Sequence, residues 1–260
     1  MFLKISCKVL LLTCIFAGVT LADELEFEGT VFRTDANTLT FKVPSDAKRV
    51  NMPRFAASIR KISWLDDQGS KIASDVALKL VPEPDYWGLS WKSVADNASS
   101  VEIAFDSPPK LLKQIGPATA AGDGSIMLKA CWASTSGEKL RYEPQSYKNT
   151  VGYWTKPGDF ATWRLQVEKP GKYGVNILQG CGKKQGGSEA ILELFQDGKR
   201  TNHIGFEVQE TGHFQNFIWR NLGEISIGEG GVFELKVSPV KIAKAALMDV
   251  RAIHLVKLPN

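Results

Sequence analysis

Histidine is scarce in this chain. There are three, His203, His213 and His254, in 260 residues. None falls in HExxH or another close metal pair, which argues against a histidine-ligated metal centre. Cysteine is almost as thin, at four. No CxxC is present, which argues against a cysteine-based zinc site. The nucleophile motif GxSxG, the phosphate loop and the dinucleotide motif GxGxxG are also missing. "GKKQGGSE" (182–189) is rich in glycine and lysine but lacks the GK[ST] ending of a phosphate cradle. It reads as a loop. Carboxylate pairs such as Asp66 and Asp67 lie in turns. No pair of acids, and no nucleophile with a base, is nominated for hydrolysis. These absences together argue against catalysis.

Charge of one sign is lacking too. The whole chain carries 32 basic and 28 acidic residues. Without residues 1–22, which hold Lys4 and Lys8, the basic count is 30 and the net charge +2. With no basic tract, nucleic acid is not a partner to expect. Long apolar runs are confined to the first residues, "MFLKISCKVLLLTCIFAGVTLA". Lys4 and Lys8 precede an apolar run from Val9 to Val19, and Thr20 and Ala22 supply small residues for cleavage. This is the pattern of a secretory signal peptide, with cleavage expected after Ala22. The run is about half of the roughly 20 residues that a spanning helix needs. A lipoprotein reading at Cys14 is disfavoured by Thr13 before it. The expectation is an exported protein, periplasmic or extracellular and of bacterial type, with no membrane span after cleavage. Cys131 and Cys181 remain. Either they form a disulfide across about 50 residues, or they are two buried thiols.

What the chain does have is alternation. Leu39, Phe41 and Val43 share a face, as do Val76, Leu78 and Leu80. Trp87, Leu89 and Trp91 repeat the pattern, then Val101, Ile103 and Phe105. Further on come Trp163, Leu165 and Val167; Tyr173, Val175 and Ile177; Ala190, Leu192 and Leu194; Ile204, Phe206 and Val208; and Phe233, Leu235 and Val237. A period of two means half-buried strands. "DDQGS", "KPGK", "QDGKR" and "GEGG" between the runs are hairpin chemistry. No helical stripe exceeds a couple of turns, and no strong repeat appears. The fold class is all-β, built as two β-sandwich domains. The Pro- and Gly-rich stretch "SPPKLLKQIGPATAAGDGS" marks the boundary. The expected division is a signal peptide over 1–22, a small sandwich over 23–112, a linker over 113–125 and a second sandwich over 126–260.

Seven tryptophans are present. Trp87, Trp91 and Trp163 are in register with apolar neighbours and belong to a core. Trp154, in "TVGYWTKPGDF", stands at a turn before Pro157 and Gly158. Loop aromatics offer a surface that matches the C–H face of a sugar ring, and nearby amides can take its hydroxyls. The alternative for Trp154 is a lid over one end of the core.

The second half resembles a known family. "GYWT", "DF" and the Trp after it, "QGCG", "QGGSE", "TGHFQNF" and the closing "MDVRAIHL" are similar to a galactose-binding-like jelly roll. The likeness is closest to carbohydrate-binding modules of family six, as appended to secreted bacterial sulfatases and α-L-fucosidases. It covers 126–258. More faintly, "DANTLTFKVPSD", "IRKISWLDDQGSKI" and "VEIAF" resemble the small C-terminal β-sandwich of α-L-fucosidase-like glycosidases. The catalytic barrel of those enzymes has no counterpart here, so no catalytic residue carries over.

The resemblance implies two sites. One is a sugar cleft between loops, matched here by Tyr153 and Trp154 as stacking surface and by His213, Gln215 and Asn216 as hydrogen-bonding groups. In "ETGHFQNFIW" (210–219), Phe217 and Trp219 are assigned outward or to an interdomain contact, and Phe214 and Ile218 inward. The other is a structural calcium, whose E-x-E ligands become Glu143 and Gln145, with Asp249 in the last strand. Calcium wants six to eight oxygens, and the change of an acid to an amide weakens the set. The alternative is that Glu143 and Asp249 hydrogen-bond strand ends or pair with Arg141 and Arg251. No other cofactor is implied. The function expected is glycan binding by a non-catalytic accessory protein. One rival is a module that docks to an envelope protein or a separate hydrolase. The other is a hydrolase or lyase acting on polysaccharide.

Overall fold

Alternating apolar residues and turn-rich connections give, among the described residues, antiparallel strands as the regular structure, with only two short 3-10 turns beside them. The computed structural model describes residues 8–10 and 23–259. Apart from Lys8–Leu10, the expected signal peptide lies outside the described residues. The chain divides into two compact units between Leu111 and Leu112.

The first unit contains β1 (Lys8–Leu10), β2 (Asp23–Phe27), β3 (Thr30–Asp35), β4 (Thr38–Lys42), β5 (Arg49–Pro53), β6 (Ile59–Leu65), β7 (Lys71–Ile72), β8 (Lys79–Pro82), β9 (Tyr86–Ser90) and β10 (Ser100–Phe105). One sheet runs β1-β2-β3-β4-β10-β6-β7 and the other β5-β9-β8. Leu39, Val101 and Ile103 of the larger sheet are fully buried, as are Met52, Trp87 and Leu89 of the smaller. Phe105 from the first stacks on Trp87 from the second at 6.5 Å, and Phe55 meets both rings within 5.9 Å. Trp64 and Trp91 meet edge to face at 5.8 Å. The run at Val76, Leu78 and Leu80 is only partly a strand, because pairing begins at Lys79.

The second unit contains β11 (Ile126–Lys129), β12 (Ser134–Ser136), β13 (Arg141–Glu143), β14 (Thr150–Gly152), β15 (Phe160–Val167), β16 (Gly171–Gly180), β17 (Glu189–Gln196), β18 (Lys199–Glu207), β19 (Ile218–Ile227), β20 (Gly231–Lys241) and β21 (Asp249–Lys257). One sheet runs β13-β14-β21-β16-β19, with β11 also on β21; the other runs β12-β15-β20-β17-β18. From β14 onward the chain passes repeatedly from one sheet to the other, as a jelly roll does. The predicted alternation supplies the core. Leu165, Leu192, Leu235 and Val237 of one sheet, and Val175, Ile177, Ile253 and Leu255 of the other, are fully buried. Each such side chain contributes about 1.5–3 kcal/mol by leaving water.

The segment expected to be a linker, 113–125, belongs to this unit. Leu112–Gln114 form a single 3-10 turn. The amide of Ala118 donates to the Arg164 carbonyl at 2.9 Å, and the amide of Gln166 donates to the Ala118 carbonyl at 2.8 Å. Cys131 and Cys181 are both buried thiols and do not form a disulfide.

One buried carboxylate organises the approach to β15. Asp159 is 1% exposed. Its carboxylate accepts from the backbone amides of Glu138, Lys139 and Leu140 at 2.6, 3.1 and 2.9 Å. Hydrogen bonds to an ionised acceptor are the stronger kind, and a donor left unmet inside the protein costs its full desolvation. Asp159→Asn keeps one acceptor oxygen and turns an NH2 against at least one of these donors. It is expected to lower the unfolding free energy by about 3 kcal/mol, measured by urea denaturation at neutral pH.

Candidate functional site

The residues expected to bind sugar lie in two segments, one after β14 and one before β19. Tyr153 has φ of 59°, a left-handed conformation that is costly for a bulky residue. The next residue is fixed on both sides. The amide of Leu247 donates to the Trp154 carbonyl at 2.8 Å. The Trp154 indole Nε1 donates to the Asp159 carbonyl at 2.9 Å. The backbone reversal sends Tyr153 outward, 47% exposed, and Trp154 inward, 0% exposed. The expectation that Trp154 offers a stacking surface is therefore corrected: a fully covered indole has no face for a ligand. Its polar N–H is satisfied inside, and it closes the end of the core.

Tyr153 is held by a cation. The Arg141 guanidinium lies 3.6 Å from the centre of its ring, and the Lys148 ammonium 5.9 Å from it. Arg251 takes the same posture over Phe217, at 3.9 Å. Among the described residues Arg251 forms no ion pair with Asp249, although its charge pulls that carboxyl's pKa down. Arg251 instead donates from Nη2 to the carbonyls of Tyr147 and Lys148 at 2.8 and 2.6 Å.

The 211–216 turn is built from its own side chains. The Cys181 amide donates to Thr211 Oγ1 at 2.8 Å. The Gln215 amide donates to His213 Nδ1 at 3.1 Å, so the proton of the neutral ring sits on Nε2, on an exposed side chain. Asn216 is exposed, but its Nδ2 already donates to the Thr211 carbonyl at 2.6 Å. Gln215 is half-buried and reaches Asp249 Oδ2 with Nε2 at 3.5 Å. Gly180 of "QGCG" is required by close approach, since a Cβ there would lie 2.0 Å from the Phe214 carbonyl oxygen. Of the four residues assigned by alternation, Trp219 is outward at 49% exposed, its ring 6.2 Å from that of His254. Phe214, Phe217 and Ile218 are all half-buried, so neither face of the stretch is fully core.

Between these segments lies the pair expected to bind calcium. Glu143 and Asp249 are 3% and 5% exposed. A Cβ on Gly152 would lie 2.7 Å from Asp249 Oδ1 and 2.8 Å from Glu143 Oε2. The two carboxylates thus converge over a residue that has no side chain. Lys148 Nζ is hydrogen-bonded to Glu143 Oε1. Burial disfavours the Lys148 ammonium, but the hydrogen bond and charge of Glu143 outweigh it and hold its pKa up. Burial, then the charge of Glu143, pushes the Asp249 carboxyl well above 3.8, against the pull of Lys148, Gln215 and Arg251. Burial, followed by Glu210 and Asp249, also raises the Cys181 thiol to about 11. That thiol stays protonated and unreactive at neutral pH.

The structure therefore links Tyr153, Lys148, Glu143, Asp249 and Gln215 at one end of the second unit, with His213 and Asn216 on the adjoining turn. Lys148 and Asp159 were not singled out from sequence. The first sits in a hairpin turn, where lysine is commonplace. The second sits in "KPGDF", where an acid after Pro-Gly looks like ordinary turn chemistry. A separate groove of about 330 Å³ is lined by Trp132, Thr162, Arg164 and Glu234, and contains none of the predicted residues. The Lys129 ammonium lies 5.0 Å from the centre of the Trp132 ring.

Two expected outcomes follow from this geometry. Trp154→Ala empties a fully buried site and is expected to cost about 3–5 kcal/mol, seen as a lower urea midpoint. Asp249 has a folded pKa above its unfolded one, so its contribution to stability is complete at pH below 3.8 and is lost as pH rises through the folded value. Melting temperatures of Asp249→Asn should accordingly gain on those of wild type as pH rises from 3.8 towards neutrality. A constant difference would show that the carboxyl is not raised.

No protein-family model matches the chain, and no curated protein matches it. Solved structures do. The chain is similar to an α-L-fucosidase from Vibrio sp. strain EJY3, at 11% identity and a TM-score of 0.36, over 87% of this chain and 39% of the fucosidase. It is similar to the C-terminal CBM6 of LamC, a marine laminarinase from Zobellia galactanivorans, at 15% identity and a TM-score of 0.42, over 51% of this chain and 99% of the module. It is similar to a family 35 carbohydrate-binding module from Clostridium thermocellum, at 13% identity and a TM-score of 0.40, over 52% of this chain and 98% of the module. The chain spans about two-fifths of the length of the fucosidase.

Proposed function

We propose that this is an exported, non-catalytic carbohydrate-binding accessory protein whose second unit carries the glycan site. The observation that carries this reading is Tyr153. It is a half-exposed ring pinned by Arg141 at 3.6 Å and presented at the end of a rigid sandwich. A ring ordered before binding loses little entropy on meeting a sugar. His213 Nε2 offers a hydroxyl partner on the adjoining turn, and Gln215 and Asn216 complete a polar rim. The sequence resemblance to family-six carbohydrate-binding modules supports the same end of the fold. A shallow site of this kind binds weakly.

Glu143 and Asp249 are two converging acids, the feature that a hydrolase would need. They are buried, and Glu143 is paired with Lys148. A glycosidase pair flanks a bond in an open cleft. We therefore read these acids as structural. A second reading, docking to an envelope protein or a separate hydrolase, is favoured by Trp219, which is 49% exposed on β19.

The test is affinity electrophoresis on a panel of polysaccharides, sulfated and fucosylated ones included. Tyr153→Ala should abolish retardation seen with wild type. Its melting temperature should change little, since an exposed cation–π contact is worth about 0.5–1 kcal/mol. Retardation that survives Tyr153→Ala but is lost in Trp219→Ala would move the glycan site to the sheet face. No retardation on any glycan would favour the docking reading.

A further inference from the structure

Two carboxyl groups withdrawn from water side by side need a cation close by if either is to carry charge. Glu143, at the end of β13, and Asp249, at the start of β21, are such a pair, converging over Gly152. The family resemblance implies calcium at this position. The residues present do not fit it. Calcium takes six to eight oxygens. Among the described residues, no group of three or more His, Cys, Asp or Glu is placed to hold a metal. Gln145 stands where the resemblance expects the second acid. Above all, a cation is already supplied by the chain. Lys148 Nζ is ion-paired with Glu143 Oε1, the side chains being 21% and 4% exposed. A divalent ion at the same carboxylates would have to displace the ammonium or bear its repulsion.

We propose that Lys148 is the structural cation of the second unit. It fills the role of a metal between the first hairpin and the last strand, and makes stability independent of divalent ions. Its backbone is held for this task from both sides. The Lys148 amide donates to the Gln145 carbonyl at 2.8 Å, closing the β13–β14 turn. Arg251, on the strand that bears Asp249, donates from Nη2 and Nε to the Lys148 carbonyl at 2.6 and 3.1 Å. The lysine is thus tied to β21 by its main chain and to β13 by its ammonium. A covalently attached cation is present at any metal concentration, whereas a bound ion stabilises only in proportion to its occupancy.

The experiment is thermal unfolding of the full chain in EDTA and in millimolar calcium chloride, for wild type, Lys148→Met and Lys148→Arg. Wild type and Lys148→Arg should each melt at the same temperature in both buffers. Lys148→Met should melt several degrees lower than wild type in EDTA. Recovery of part of that loss in calcium would be the stronger form of the result. Glu143, Asp249 and Gln145 Oε1, which is buried without a hydrogen-bond partner, would then be left to meet an ion. The proposal is overturned if wild type melts higher in calcium than in EDTA, or if Lys148→Met melts like wild type in EDTA. Should Lys148→Met fail to fold, the wild-type comparison across the two buffers still decides.

Discussion

The Asp159 carboxylate is the constraint on which this end of the molecule rests. Three successive amides, at 138–140, converge on it, so a stretch of backbone with no strand partner of its own is satisfied inside the protein. The same residue accepts the Trp154 indole through its carbonyl. With the indole fixed inward, the reversal at Tyr153 leaves its phenol nowhere to go but out. An exposed aromatic ring is thus a consequence of a buried acid six residues further along the chain.

The second polar knot follows a different logic. Asp159 is met by dipoles, whereas Glu143 and Asp249 are met by charges: an ammonium paired with Glu143 and a guanidinium near Asp249, which only partly offset the burial of Asp249. Buried ion pairs of this kind contribute little net stability against a well-packed apolar alternative, but removing one partner is expensive. Their effect is to fix geometry. Here they hold the β13–β14 hairpin, the last strand and the 211–216 turn in one arrangement, which places the proposed glycan groups together.

Much of the fold was legible because a period of two is a strong signal when one face is buried. Trp163, Leu192 and Val237 are core for the reason their spacing implies. Val76 and Leu78 alternate in burial without being strand, since burial under a loop produces the same pattern as burial in a sheet. The site was less legible. Trp154 and Tyr153 are neighbours of opposite fate, and which one faces solvent is decided by a positive φ that a Tyr-Trp pair does not advertise. Lys148 was invisible because its partner is an acid on the preceding strand, and surface lysines in turns are common. The burial of Phe217 under a guanidinium depends on Arg251, 34 residues later, a contact that no local pattern contains.

The docking of Ala118 against β15 changes the meaning of the segment that precedes the second sandwich. β12 pairs with β15 only from Phe160 to Thr162. Beyond that point the next stretch of β15 is met by Ala118, in a parallel bridge to Leu165 with hydrogen bonds to residues 164 and 166. Bare strand edges invite pairing with other chains, and proteins cover them with loops. Residues 113–125 therefore act as a sheath as well as a tether. A protease nick or a truncation that began the domain at Ile126 would leave every strand of the jelly roll in place, yet uncover a ready seam for self-association.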